Sequence, residues 1–177
     1  VLVLSSANVD ALSTSQVAAF TTAGIAAMGT TQISALGTSL VEALRTAQVV
    51  ALTTTQIDTL SSNQVVAMET ADIAALRTVQ VAALSTTNLI ELSTSQIAAL
   101  SSASVAALGT TQISVLSTSQ IDSIETVDIA ALRTAQIEAL STANVVLMTT
   151  SQIAALTTAG VAALGTSSVE ALTTSQI

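Results

Sequence analysis

The chain has no cysteine, proline, tryptophan, tyrosine, histidine or lysine, and Phe20 is its only aromatic residue. Lack of cysteine leaves the redox compartment open and suits a secreted protein that needs no disulfide. Lack of histidine, lysine, cysteine and tyrosine removes most of the groups that transfer protons or act as nucleophiles. Charge is also scarce. Eleven acids face only Arg45, Arg77 and Arg133, a net charge of −8. That balance repels nucleic acid phosphates and anionic membranes, so no nucleic acid partner is expected. Mean hydropathy is +0.75. Yet apolar runs such as Val145-Val146-Leu147-Met148 stop at a Ser/Thr cluster, far short of the roughly 18 to 20 residues of a membrane-spanning helix. No transmembrane span is expected.

What is present is one eight-residue unit, written twenty-two times without a slip of register from Val3 to Ile177. A typical copy is Ala51-Leu52-Thr53-Thr54-Thr55-Gln56-Ile57-Asp58. A strict short period marks a solenoid or array, with no natural domain boundary. Residues 1–177 therefore read as a single continuous octapeptide array. Both ends are ordinary octads, which suggests a segment of a longer chain or a filament subunit.

The octad positions are numbered one to eight from Ala11. Position four is Thr or Ser in every copy, and position seven is Val or Ile except at Leu89. Position two is Leu except at Phe20, Met28, Met68, Ile124 and Met148, and position six is Gln in twelve copies. Thr at position four reads as the obligatory N-cap of a helix of about two turns. Gln or Asp at six then suits the first turn and its dipole. Positions seven and two fall on one face as i, i+3 neighbours. Position three lies just past the helix end on this reading. There Gly29, Gly37, Gly109 and Gly165 would take a left-handed backbone, and the three arginines would meet a helix C-terminus. A capping box from three to six is the competing assignment. It fails for octads with Gly, Arg or Glu at three. Ala at position one suggests close approach of another helix.

Two-turn helices are unstable alone, so stability must come from stacking octads on their Ile and Leu faces. The acids at position eight (Asp10, Glu42, Asp58, Asp122, Glu138 and Glu170) all lie multiples of sixteen residues apart. That spacing suggests two octads per structural unit, one turning position eight to solvent and the other burying it. Similarity between residues 69–77 and 125–133 has a different shift, fifty-six residues. The expected fold is thus an all-α solenoid of short two-turn helices, two octads per unit. A β-solenoid is the alternative, since Thr, Val and Ile favour strands. Four apolar-leaning positions followed by four polar ones do not alternate as a half-buried strand should.

Glu69 with Asp72 comes nearest to a general acid/base pair, and reads more simply as a solvated helix start. Serines and threonines lack a base to activate them. The glycines form no phosphate-cradling loop, and no oxygen-ligand cluster for calcium is apparent. No catalytic, cofactor-binding or metal-ligating residue is assigned, no cofactor is expected, and the chain does not read as an enzyme. Evenly spaced Thr could template ice, although a capping Thr spends its hydroxyl on the backbone.

Units such as Thr149-Thr150-Ser151-Gln152-Ile153-Ala154-Ala155-Leu156 resemble the repeats of very long, low-complexity bacterial surface or secreted proteins. The resemblance covers the whole chain and implies spacer, stalk or fibre material at the cell surface or outside the cell. A shorter similarity joins Leu52-Thr53-Thr54-Thr55-Gln56-Ile57 to the first helix of plant-pathogen DNA-binding effector repeats, whose longer repeat and basic surface are missing here. The function expected is structural: an extracellular fibre, stalk or surface filament. The alternative is a binding solenoid, either ice-binding or a glycan-contacting adhesin stalk. Expected partners are further copies, docked head-to-tail or laterally, and other surface components.

Overall fold

The computed structural model describes residues 4–177. Among the described residues there are 21 helices and no strand, from α1 (Ser6–Asp10) to α21 (Thr166–Glu170), one in each octad but the last and each beginning at position four. Each helix has five or six residues, about one and a half turns rather than two. The helix closes early because the position-two N–H bonds back three residues to the position-seven carbonyl, as Leu36 N does to Ile33 O at 3.1 Å. No helix among the described residues is long and apolar enough to cross a membrane.

The N-cap is position three, not four. Ser13, Thr53, Ser61 and Ser93 accept at their hydroxyls from the N–H of position six. The objection that Gly, Arg and Glu also occur at three overlooks that half of the capping box uses backbone alone. The Gln side-chain oxygen accepts from the position-three N–H, at 2.8 Å from Gly29 and 2.7 Å from Arg45. Any residue except proline supplies that donor, and this chain has no proline. The glycines at three are accordingly extended, Gly29 at φ −73° and Gly37 at φ −63°. No described residue has a positive φ. Successive helices are joined instead by two extended residues, as at Leu52 (φ −57°, ψ 137°) and Thr53 (φ −74°, ψ 161°).

The chain divides into two compact units, one ending at Leu92 and the other covering Ser93–Ile177. Each is a helical solenoid in which a helix packs on the third one after it. In the first unit α3 (Thr22–Ala26) packs on α6 (Thr46–Ala51), and α6 on α9 (Thr70–Ala75). In the second, α13 (Ser102–Ala107) packs on α16 (Thr126–Ala130), and α16 on α19 (Thr150–Ala155). One coil is therefore three octads, and the expected two-octad unit is corrected. Position eight shows why the acid spacing misled. It is exposed in Glu42 and Asp58, but also in Val66 and Ala82 of the other parity. Octads of both parities expose position eight, although Val50, Ala98 and Val146 there are half-buried, and nothing in the structure explains the sixteen-residue spacing of the acids.

Position seven is buried from Val9 to Ile153 and position two from Met28 to Leu164. These two side chains form the layers between coils, as the stacking argument required. Position one contributes less than expected. It is half-buried at best, and Leu147 there is 59% exposed.

Candidate functional site

The acid pairs do not converge. Glu69 and Glu125 are exposed N-cap residues, whereas Asp72 and Asp128 are buried between coils at position six. The Asp128 carboxylate accepts from Ser102 Oγ of the coil before it. Each pair thus splits between solvent and interior, a geometry that cannot present two carboxyl groups to one substrate. Among the described residues there is no group of three or more His, Cys, Asp or Glu placed to hold a metal ion.

The side chain that organises the molecule is Gln at position six. Gln80 is fully buried. Its oxygen accepts from Arg77 N at 2.9 Å, while its Nε2 donates to Val49 O at 3.1 Å and Leu52 O at 2.8 Å, one coil earlier. Gln48, Gln56 and Gln64 repeat this pattern in the first unit, and Gln136 and Gln152 in the second. The acceptor end caps its own helix and the donor end satisfies the carbonyls that terminate an earlier helix. Each interior Gln thereby adds two neutral hydrogen bonds between coils, about 1 kcal/mol each.

The sequence carried a signal for this role. A capping box accepts Glu as readily as Gln, and the helix dipole prefers Glu. Yet Glu never occurs at position six. Only an amide can accept at one end and donate at the other, so the missing Glu marks a donor whose partner lies outside the octad. Where Asn replaces Gln, the shorter side chain reaches one carbonyl only, as Asn88 Nδ2 reaches Leu60 O at 3.0 Å.

Two of the three arginines at position three, Arg77 and Arg133, meet a helix C-terminus, though across the coil. Arg77 Nη2 donates to Leu52 O at 3.3 Å, and Arg133 Nη2 to Leu108 O at 3.1 Å. Leu52 and Leu108 are the C-caps of α6 and α13.

Moving the cap to position three frees the hydroxyls at position four. Thr54, Thr78, Thr126 and Thr150 are exposed, and stand one per coil along their helix columns. Three position-four hydroxyls have partners one coil on: Ser62 donates to Asn88 Oδ1 at 3.2 Å, Ser102 to Asp128, and Thr142 accepts from Ser168 at 3.4 Å. Thus the objection that capping consumes the Thr hydroxyl does not hold.

The ALTTAQ repeat family matches this chain five times, at residues 17–46, 40–70, 65–102, 90–123 and 121–158. No curated protein matches it.

Proposed function

The chain belongs to the ALTTAQ repeat family, and on that basis we propose that it is structural material of a bacterial fibre, stalk or surface filament, located outside the cell or on its surface. The repeat supports a structural role through one observation above all. The Gln bonds and the layers of positions seven and two recur from coil to coil with the same partners. Such a chain gains length without needing new chemistry at each step. The proposal includes no catalysis and no nucleic acid partner. It draws on the nearly empty acid/base repertoire and the net charge of −8. Electron microscopy of the native material tests it: filaments or stalks are expected, and isolated globular particles would overturn it. Protease treatment of intact cells tests the location, with loss of the repeat expected and full protection the contrary result.

A second reading, a binding solenoid, draws on the exposed Thr columns, whose hydroxyls are not used as caps. Regular Thr rows on uncharged faces suit an ice surface, and exposed hydroxyls also suit a glycan. Thermal hysteresis of the purified chain discriminates the first, and a glycan array the second.

A further inference from the structure

Neighbouring helices in the first unit are held to very different degrees. At α10 (Thr78–Ala82), Gln80 Oε1 accepts from Arg77 N, and its Nε2 donates to Val49 O and Leu52 O at 3.1 and 2.8 Å. Arg77 Nη2 adds a second donor to Leu52 O. At α8 (Ser62–Val66), Gln64 donates likewise to Ile33 O and Leu36 O.

Helix α9, between them in sequence, has none of these clamps. Glu69 makes no side-chain cap bond, and Asp72, 2% exposed, makes no side-chain hydrogen bond. Gln64 and Gln80 each reach carbonyls thirty-one and twenty-eight residues back. The carbonyls in the corresponding place for Asp72 are Val41 O and Leu44 O, and neither receives a side-chain donor. An ionised carboxylate has no hydrogen to give them. At the other end of α9, Ile73 O and Leu76 O also receive no side-chain donor, unlike Val49 O and Leu52 O. What holds α9 is apolar: Ile73 is fully buried and Leu76 nearly so. Helix α16 lacks the same clamps, but Ser102 Oγ tethers its Asp128 to the coil beneath.

We infer that α9 is a yield point of the first unit, a helix that opens and recloses while α8 and α10 stay docked. A helix of one and a half turns has no stability of its own, so α9 melts when it leaves the coil. Opening it breaks no side-chain hydrogen bond, and it gives water to a carboxylate and to carbonyls that have no donor when closed. Opening α10 breaks the bonds of Gln80 and Arg77 to the coil beneath. Unequal local stability of this kind is what lets one segment open while the rest of a domain stays folded. In a fibre, α9 takes up strain before a clamped helix does. That use rests on the structural reading above, whereas the opening itself does not.

The test is amide hydrogen exchange of the 177-residue chain, read at matched backbone positions. Ile73 N donates to Glu69 O and Leu76 N to Ile73 O, just as Val81 N donates to Arg77 O and Leu84 N to Val81 O. Ile73 and Leu76 are expected to exchange about tenfold or more faster than Val81 and Leu84, with Ile129 and Leu132 between. Asp72→Asn keeps the side-chain shape and supplies a donor for Leu44 O, as Asn88 Nδ2 does for Leu60 O. It should slow Ile73 and Leu76 about fivefold and leave Val81 and Leu84 unchanged. Equal protection of α9 and α10 overturns the inference. So does an Asp72→Asn variant whose exchange is unaltered at α9, or slowed equally at α10, since the unit then opens as a whole. Uniform protection would leave the fibre reading standing, and isolated globular particles in native material would sink that reading without touching α9.

Discussion

Residues 69–77 and 125–133 are nearly the same sequence in the two units, and their buried side chains behave alike but for one hydrogen bond. In both, a Glu N-cap makes no side-chain cap bond, an Asp is buried at position six, an Ile is buried behind it, and the Arg reaches a Leu carbonyl one coil earlier. Asp128 differs in having the hydroxyl of Ser102, twenty-six residues before it. The same place before Asp72 holds Thr46, which is exposed and makes no such bond. Ser62 and Asn88 repeat the Ser102–Asp128 arrangement. Ser rotates freely to reach its partner, whereas the β-branched Thr is held to few χ1 positions. An octad's buried polar chemistry is therefore divided between its own helix cap and the coil beneath it.

The largest effect that can probe this likeness is loss of the core side chain. Ile73→Ala and Ile129→Ala should each cost about 2 to 5 kcal/mol, read by urea denaturation. Costs differing by more than that range would show that the two sites are not equivalent. Next comes the hydrogen bond that separates the two buried acids. Ser102→Ala should cost about 1.5 to 3 kcal/mol, since it strips a buried carboxylate of its only hydrogen bond. Thr46→Ala should stay within about 0.5 kcal/mol of zero. Equal losses at both would refute the assignment. Thr46→Ser should move the first site toward the second and add about 1 kcal/mol; an unchanged denaturation midpoint would mean that the Ser–Asp bond contributes nothing. Smallest of all, Glu69→Ser and Glu125→Ser install the missing cap hydroxyl. Each should gain about 0.5 kcal/mol, to the same extent in both units.

Much of the fold was legible. Positions seven and two announced the helix and its buried face, and the Thr-rich segment announced a helix start. The cap was misplaced by one residue because the box was judged by its side-chain half, although Gly29 and Arg45 supply the backbone half equally well. The three-octad coil was hidden for another reason. Ile57 packs within an array where every octad offers the same Ile and Leu, so no contrast in sequence marks which copy meets which. The position-eight acids seemed to provide that contrast, but they lie on solvent, where packing exerts no selection. At the candidate sites, sequence reasoning took Asp72 for a solvated residue, because a helix start is normally wet. It is buried because position six faces the preceding coil. Position six was the missed site, betrayed only by the absence of Glu.

The joints between helices have a genetic corollary. They use two ordinary extended residues, with no glycine in a left-handed conformation and no proline. One octad can therefore be gained or lost by replication slippage without creating a misfit hinge, and every downstream amide still finds a carbonyl three octads behind it. What changes is azimuth. With three octads to the coil, each inserted or deleted copy swings the side chains beyond it in the same unit by about a third of a revolution. Copy number within a unit thus sets its length and also the compass bearing of the side chains beyond the change.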